Sequence, residues 1–305
     1  MKLGRSGVTP YTLGLPIILA AALVIGSPTF RQAENAANFA NQLTALLLVS
    51  LGQMFTVISL GVDLSVGSVM SLASSIVATQ ADPLVGIALA LAAAVLVGLI
   101  NGAGIAFANV HPLIMTLSVG TFVQGIAFIV LHIPGGEIPA PIVRAATGRL
   151  HGIPYALAWS VIGLAIVAFV LRRTRFGLHL YAAGAVPRSA YLNGVDTHRV
   201  LLGAYVLSSL FAASAGIFLA GRVSMGDPTL GVEFIMNSLA AVAIGGVLLT
   251  GGIGSAFGVL TGVVSLGLIA NGLNLIGVSP FLRSVVTGVL LLVAISFQRR
   301  RIVGL

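Results

Sequence analysis

The sequence contains no cysteine and a single lysine, Lys2, and charged residues make up only 7% of its 305 positions. Without cysteine there is no disulfide, no thiolate metal site and no cysteine nucleophile. A P-loop needs a lysine after its glycines to reach the phosphates of a nucleotide, and the sequence offers none there. Soluble chains average about 25% charged residues, so this composition excludes a single water-facing globule.

Apolar residues and glycine are in excess. The chain is 58% hydrophobic, with a mean hydropathy of +1.11 and 38 glycines. Glycine lets helices pack backbone to backbone in lipid. We therefore predict an all-α, polytopic integral membrane protein with one transmembrane domain over residues 1–305. The first apolar run follows Lys2 and Arg5, and we interpret it as a retained helix, with a secretory signal peptide as the alternative.

A helix needs about 20 mostly apolar residues to cross a bilayer. The apolar runs predict about ten transmembrane helices, of which the third and eighth are short enough for a broken or re-entrant geometry. The predicted spans are residues 11–27, 42–60, 65–80, 84–108, 112–132, 155–171, 200–221, 234–250, 255–276 and 281–298.

The basic residues predict the orientation, because cytoplasmic loops carry an excess of lysine and arginine. With ten spans and a cytoplasmic N-terminus, ten of the fifteen basic residues are inside and five of the seven acidic residues are outside. Both termini are then cytoplasmic, with an extracytoplasmic loop at about residues 133–154 and a cytoplasmic loop at about residues 172–199. The inside residues are Lys2, Arg5, Arg172, Arg173, Arg175, Arg188, Arg199, Arg299, Arg300 and Arg301.

These basic residues also bear on possible partners. They are scattered at the edges of apolar runs, without interleaved aromatic residues, which argues against binding to nucleic acid. Membrane lipid is the partner that the composition predicts.

The segment GVDLSVGS, residues 61–68, interrupts a nearly continuous apolar stretch. A carboxylate so close to the membrane is costly, so Asp63 needs a reason. Either Asp63 or Ser65 caps the free N–H groups at the start of the third span, or the segment is the break of a discontinuous helix whose polar groups meet substrate. The two interpretations are compatible.

Polar residues inside other spans are either hydrogen-bonding contacts between helices or pathway residues. Because they are neutral, they favour a polar, uncharged solute. Together with the Asp63 motif they form the predicted pathway set: Gly61, Asp63, Leu64, Ser65, Gly67, Asn101, Thr116, Asn237, Asn271 and Asn274.

The cytoplasmic loop contains signals for a short helix. Pro187 favours a helix start, and Asn193 with Gly194 favours its end, so residues 187–192 are predicted to be helical. Asp196 suits the cap of the next span. A short helix on a tight cytoplasmic loop is a docking device for a partner protein, although an ordinary positive-inside loop would also fit.

Two patterns concern helix packing. GLINGAGIA, residues 98–106, is similar to GLIANGLNL, residues 267–275, either by chance or because the chain contains an internal repeat. Gly254, Gly258 and Gly262 form a double GxxxG pattern, which predicts a close-packing face on the ninth span.

No catalytic site is predicted. The five histidines show no HExxH or other metal-ligand spacing, and the chain has no GxSxG serine elbow. His111 and His132 are predicted at helix ends. We therefore expect neither enzyme activity nor a cofactor or metal.

Four segments, in this order along the chain, resemble the permease subunits of bacterial ABC importers for simple sugars, the ribose-type branch of a group that also includes branched-chain amino-acid permeases. They cover residues 61–73 (GVDLSVGSVMSLA), 97–127 (VGLINGAGIAFANVHPLIMTLSVGTFVQGIA), 174–200 (TRFGLHLYAAGAVPRSAYLNGVDTHRV), and 239–264 with 270–279 (LAAVAIGGVLLTGGIGSAFGVLTGVV, ANGLNLIGVS).

The resemblance implies a type II ABC importer permease fold in the bacterial inner membrane, and a non-catalytic subunit that forms the pathway for a monosaccharide. It also implies a second permease subunit, identical or different, two cytoplasmic ABC ATPase subunits or one fused double ATPase, and a periplasmic sugar-binding protein. The residues that it implies in coupling to the ATPase are Pro187, Arg188, Ser189, Ala190, Tyr191, Leu192, Asn193 and Gly194.

The chain departs from the family pattern in two places. The family usually has two glycines before Asp-Leu-Ser, where this chain has Leu60 and Gly61, and its coupling segment often carries Glu-Ala-Ala, where this chain has RSA at residues 188–190. The second departure is compatible with a heterodimeric permease.

Two other functions compete with sugar import by an ABC permease. A permease of the same kind for branched-chain amino acids or another small polar solute is the nearer alternative. An ion-coupled secondary transporter is the other, and it would need a buried carboxylate or histidine relay near the midplane.

Overall fold

The computed structural model describes residues 10–297, so Lys2, Arg5 and the arginines at 299–301 lie outside the described residues. The described chain is helical, apart from its loops and one small hairpin. Its helices are α1 Pro10–Gly26, α2 Ala33–Ile58, α3 Val66–Thr79, α4 Pro83–Ala106, α5 Pro112–Val130, α6 Ala140–Thr147, α7 Tyr155–Arg173, α8 Arg175–Ala185, α9 Pro187–Leu192, α10 Thr197–Val223, α11 Val232–Ile244, α12 Ala256–Leu275 and α13 Pro280–Phe297, with a 3-10 turn at Thr29–Arg31.

Ten of these helices correspond one to one with the predicted spans. Six of them, α2, α4, α5, α7, α10 and α12, are long and apolar enough to cross a membrane, and α1, α3, α11 and α13 are shorter apolar helices. The prediction of an all-α, multi-pass membrane protein is confirmed. Within the bundle, α2, α10 and α12 are mostly enclosed by protein, whereas α4, α5 and α7 expose most of their surface.

Two predicted boundaries were wrong. α2 begins at Ala33 rather than near residue 42, because its polar first turns find partners: Asn35 exchanges hydrogen bonds with Asn271, and the carbonyl of Asn41 accepts one from Arg222. α11 ends at Ile244 rather than near residue 250. The apolar residues that follow are interrupted by glycines in the left-handed conformation, which end a helix.

The third and eighth crossings are short, as predicted. α3 has 14 residues and α11 has 13. At about 1.5 Å per residue, each is roughly 20 Å long, and the hydrocarbon core of a bilayer is about 30 Å thick. Neither helix crosses by itself, so the segments before them, residues 59–65 and 224–231, must complete the crossing. We call these segments the first and second linkers.

The order of helices repeats. A long helix, a short one of 13 or 14 residues and two further helices of 18 to 24 residues occur as α2 to α5 and again as α10 to α13. The first helix of each half packs in the other half: α2 against α11 and α12, and α10 against α3 and α4. The similarity between residues 98–106 and 267–275 therefore connects α4 and α12, which hold the same place in the two halves.

The extracytoplasmic loop that we predicted at residues 133–154 contains α6 and a hairpin of two short strands, β1 Arg149–Leu150 and β2 Ile153–Pro154. The indole N–H of Trp159 on α7 donates to the carbonyl of Ala145 at 2.9 Å, which fastens α6 to the bundle. Leu150 and Ile153, at the tip of the hairpin, are exposed.

The close-packing face predicted from the double GxxxG is confirmed for two of its glycines. Gly258 and Gly262 of α12 lie against the backbone of α11, and a Cβ at either position would overlap a carbonyl oxygen, of Gly245 and Ala241 respectively. Gly254 precedes α12 and lies in the loop between the two helices.

Gly262→Ala is expected to destabilise the bundle, because α11 must move to admit the methyl group. Overpacking of this kind costs about 1–3 kcal/mol. The matched control is Gly125→Ala on α5, where nothing lies within 4 Å of an added Cβ. Thermal unfolding in detergent measures both. Equal midpoints for the two variants would contradict the close contact between α11 and α12.

Candidate functional site

The first linker begins where α2 ends in a tight turn. The N–H of Gly61 donates to the carbonyl of Thr56 at 2.9 Å, and Leu60 between them has a positive φ of 69°. This conformation favours glycine. Leu60 is one of the positions where the sequence departs from the pattern of the family that it resembles, and that departure falls on the strained residue of the turn. A Cβ at Gly61 would overlap the hydroxyl of Tyr205 on α10.

The centre of the first linker is the carboxyl group of Asp63, which is fully buried. Its Oδ1 accepts from the N–H of Ser65 at 2.9 Å and from the Ser65 hydroxyl. Its Oδ2 accepts from the hydroxyl of Ser208 on α10 at 2.8 Å. The Ser65 hydroxyl accepts in turn from the amide of Asn101 on α4 at 2.9 Å. One carboxyl group thus joins the start of α3 to α4 and α10.

Two further side chains complete this network by pairing the linker backbone. Thr116 on α5 accepts from the N–H of Leu64 at 3.1 Å, and its single hydroxyl proton lies within reach of the carbonyl of Pro112 at 2.9 Å and of Val62 at 3.3 Å. With its amide oriented to satisfy both groups, Gln53 on α2 donates to the carbonyl of Asp63 at 3.0 Å and accepts from its N–H at 3.3 Å.

We call the group of Gln53, Asp63, Ser65, Asn101, Thr116 and Ser208 the polar knot. Unpaired backbone groups cost several kcal/mol each within a bilayer, and irregular backbone is tolerated there only where protein or water satisfies it. The polar knot meets that condition for the first linker. Asp63 pairs the N–H of Ser65 just before α3, but no side chain within residues 10–297 accepts from the free N–H groups in the first turn of α3. The predicted side-chain cap is therefore wrong, and Asp63 instead holds the interrupted backbone before the helix.

The second linker repeats this design in the other half of the chain. Oδ1 of Asp227 accepts from the N–H and the hydroxyl of Thr229, both at 2.7 Å. The sequences are DLSVG at residues 63–67 and DPTLG at residues 227–231, so both have the pattern Asp-x-Ser/Thr-x-Gly. The shortness of the eighth span allowed a broken geometry there, but we did not assign residues 227–231 to the break, and comparing this pattern between the two halves would have found them.

The second linker lies along α3. The N–H of Asp227 donates to Ser74 Oγ at 3.1 Å, and the N–H of Gly231 donates to Ser71 Oγ at 3.0 Å. Gly231 then meets Gly67, and a Cβ on either glycine would overlap the carbonyl oxygen of the other or press against it. The two broken crossings therefore touch at the starts of their short helices.

The predicted pathway residues fall into separate groups. Asp63, Ser65, Asn101 and Thr116 are fully buried in the polar knot and expose no surface in this conformation. Asn271 is buried and paired with Asn35, at 3.1 Å between Asn271 Nδ2 and Asn35 Oδ1. Asn237 is half-buried on α11, and Asn274 is exposed near the end of α12. The three asparagines thus lie apart from the polar knot.

The short helix in the loop that we predict to be cytoplasmic has the predicted bounds. α9 is Pro187–Leu192, Asn193 follows as its C-cap, and Gly194 has a φ of 81°. The predicted cap of α10 is also present, since Asp196 accepts from the N–H of Arg199 at 3.1 Å. Within α9 only Ala190 is buried. Tyr191 and Leu192 are 63% and 74% exposed, so the helix presents an apolar surface to whatever faces it.

α8 connects this helix to the rest of the bundle. A Cβ at Gly184 would overlap the carbonyl oxygen of Ile58, the last residue of α2. The same carbonyl accepts from the N–H of Gly252, in the loop between α11 and α12, at 2.9 Å. The Tyr181 hydroxyl donates to the carbonyl of Gly254 in that loop at 2.6 Å. α8 therefore contacts both the corner that leads to the polar knot and the loop between α11 and α12.

A polytopic bundle with two crossings broken near their middle, and a short exposed helix on a tight loop, defines the membrane domain of a transporter. The family described as Branched-chain amino acid transport system / permease component matches residues 35–295. The chain belongs to this family, which confirms the resemblance seen in the four sequence segments.

Curated relatives match over nearly the whole chain. The ribose import permease protein RbsC of Bacillus subtilis is 33% identical over 95% of this chain and 92% of its own length. The L-arabinose ABC transporter permease protein AraH of Azospirillum brasilense is 32% identical over 98% of this chain and 88% of its own length. The galactose/methyl galactoside import permease protein MglC of Salmonella typhimurium is 30% identical over 92% of this chain and 91% of its own length. No solved structure matches.

Asp63→Leu is expected to destabilise the protein strongly, because three hydrogen-bond donors lose their buried acceptor. Each unsatisfied group costs about 1–3 kcal/mol. Asp63→Asn is the matched control, since an amide has the same shape, keeps one acceptor oxygen and can donate to Ser208. Thermal unfolding in detergent is the measurement. An Asp63→Leu variant as stable as Asp63→Asn would show that the polar knot does not hold the linker.

Proposed function

We propose that this chain is the transmembrane permease subunit of an ATP-binding cassette importer and forms the translocation pathway for a monosaccharide. The observation that carries the proposal is the end-to-end similarity to import permeases for ribose, L-arabinose and galactose. All three of those solutes are neutral and rich in hydroxyl groups. They fit the neutral amide and hydroxyl side chains inside the spans, such as Asn237 and Thr121, which can both donate to and accept from sugar hydroxyls.

The energy must come from another subunit in this proposal. The sequence contains no P-loop, and its single lysine, Lys2, does not follow a glycine-rich loop. We propose that two ATPase subunits, or one fused double ATPase, bind on the cytoplasmic side and that a periplasmic binding protein delivers the sugar. The membrane is then the bacterial inner membrane, with both termini in the cytoplasm and a second permease subunit beside this one.

α9 is the proposed contact for the ATPase. Its exposed apolar residues, Tyr191 and Leu192, suit a groove in a partner protein, and Arg188 beside them suits acidic groups at the rim of that groove. The contacts of α8 with the carbonyl of Ile58 and with the loop after α11 support this role. A displacement of α9 would act through α8 on the end of α2 and on the loop between α11 and α12.

Replacing Tyr191 and Leu192 together with aspartate is expected to abolish co-purification with the ATPase, because two charges would enter an apolar contact. The measurement is the yield of ATPase bound to the tagged permease from detergent extracts. The matched control is Leu150→Asp with Ile153→Asp, two residues of similar exposure on the hairpin that we place outside. If both double variants retain the ATPase equally, α9 is not the coupling helix.

Uptake of radiolabelled ribose tests the transport function directly. In proteoliposomes that contain the permease with its co-purifying ATPase and the binding protein, we expect uptake that needs ATP and survives a protonophore. Arabinose and galactose serve as competitors, and leucine tests the amino-acid alternative raised by the family description. Uptake that persists without ATP but stops with the protonophore would replace this proposal with an ion-coupled transporter.

A further inference from the structure

Glu233 is an acidic residue in an unusual position. It lies in the first turn of α11, and its side chain is exposed. No hydrogen bond or ion pair of its carboxylate occurs within residues 10–297. The other exposed acidic residues of the chain lie in loops or in the first residues of a helix at the membrane surface, as Glu34, Asp82, Glu137 and Asp196 do.

The contacts of the second linker give the depth of Glu233. Gly226 lies against Ala78 at the outer end of α3, and Gly231 lies against Gly67 near its start. Eleven residues of helix separate Ala78 from Gly67, which is about 16 Å at 1.5 Å per residue. That distance is half of a hydrocarbon core about 30 Å thick. Glu233 follows Gly231 by two residues, so it lies close to the middle of the membrane.

Further polar groups lie on the same side of the molecule. Asn237 is one helical turn from Glu233, on the same face of α11, and is half-buried. On α5, the amide of Gln124 donates to the carbonyl of Pro228 and so holds α5 beside the second linker. Thr121, one turn from Gln124, is exposed. We call Thr121, Glu233 and Asn237 the mid-membrane polar face.

The mid-membrane polar face is not in contact with lipid. Ionisable side chains within membrane spans are rare, and they face a protein interior or a water-filled cavity. A dry contact with a second copy of this chain would require a cation at the same depth. Within residues 10–297, the arginines nearest to the membrane interior are Arg222 and Arg283, and both lie within the last or first few residues of their helices.

We propose that the mid-membrane polar face lines the water-filled sugar passage, between this chain and the second permease subunit, and that Glu233 binds sugar hydroxyl groups there. A carboxylate accepts strong hydrogen bonds from several hydroxyls of one monosaccharide. Asn237 and Thr121 add neutral donors and acceptors beside it. This inference rests on the proposed function, and it assigns the pathway to an exposed face rather than to the buried polar knot.

The lack of cysteine makes this inference testable without background labelling. Glu233→Cys, Asn237→Cys and Thr121→Cys are compared with Leu96→Cys, which lies about midway along α4 and is 60% exposed. The probe is a hydrophilic methanethiosulfonate applied to the assembled importer in membranes. Because thiolates form in water and not in lipid, we expect labelling at least about ten-fold faster at the three polar positions than at residue 96.

Two outcomes would overturn the proposal. Labelling of Glu233→Cys as slow as that of Leu96→Cys would place the face in lipid. Slow labelling combined with disulfide formation between the cysteines of two copies would place it in a dry interface. Because labelling depends neither on the sugar nor on the energy source, it separates failure of this inference from failure of the proposed function.

Transport gives the second readout. Glu233→Gln keeps the size of the side chain and removes its charge, so uptake of radiolabelled ribose at low concentration should fall by about ten-fold, the equivalent of one weakened charge-assisted hydrogen bond. ATPase binding should be unchanged, since Glu233 is far from α9. Unchanged ribose uptake by Glu233→Gln, in an importer whose wild type transports ribose, would overturn the role of the carboxylate.

Discussion

The architecture of this protein depends on the rule that a backbone N–H or carbonyl inside the bilayer must have a partner. The long apolar helices obey it by their own hydrogen bonds, but the crossings through α3 and α11 are interrupted. At the first linker, Gln53, Thr116 and the Asp63 carboxyl group pair backbone groups, and Asn101 and Ser208 from two further helices hold the side chains of Ser65 and Asp63. The surrounding helices therefore stabilise the irregular backbone of the first linker. The same hydrogen bonds fix how those helices pack around it.

The same break lies beside the surface proposed to receive the ATPase. The carbonyl of Ile58 ends α2, accepts a hydrogen bond from Gly252 and lies against Gly184 of α8. Five residues later the chain reaches Asp63 in the polar knot. Glycine at 184 and 252 allows the backbones of α8, the end of α2 and the loop after α11 to touch without intervening side chains.

Both halves of the chain use the motif Asp-x-Ser/Thr-x-Gly at their interrupted crossing, but the short helices that follow differ in how far they are buried. Asp63 and Asp227 each accept from the second residue after them, a serine or a threonine, and the glycines two residues further on meet each other. α3 is enclosed along almost its whole length, whereas α11 leaves one side uncovered. Because of this asymmetry, α3 is buried inside the bundle, whereas α11 exposes a face at mid-membrane depth that contains Glu233.

The sequence by itself determined the helical membrane class, the ten apolar segments, the bounds of α9 and the break at Asp63, because hydropathy, caps and turn residues act over a few neighbouring positions. The tertiary structure decided the rest. Whether Asn101 and Thr116 face water or pair with the first linker depends on helices that meet from distant parts of the chain. The apolar sequence after Ile244 is compatible with either a helix or a loop. The left-handed glycines and the contact with α8 are what make it a loop. A hydrogen-bond partner within 3 Å is a property of packing, which no local pattern of residues specifies.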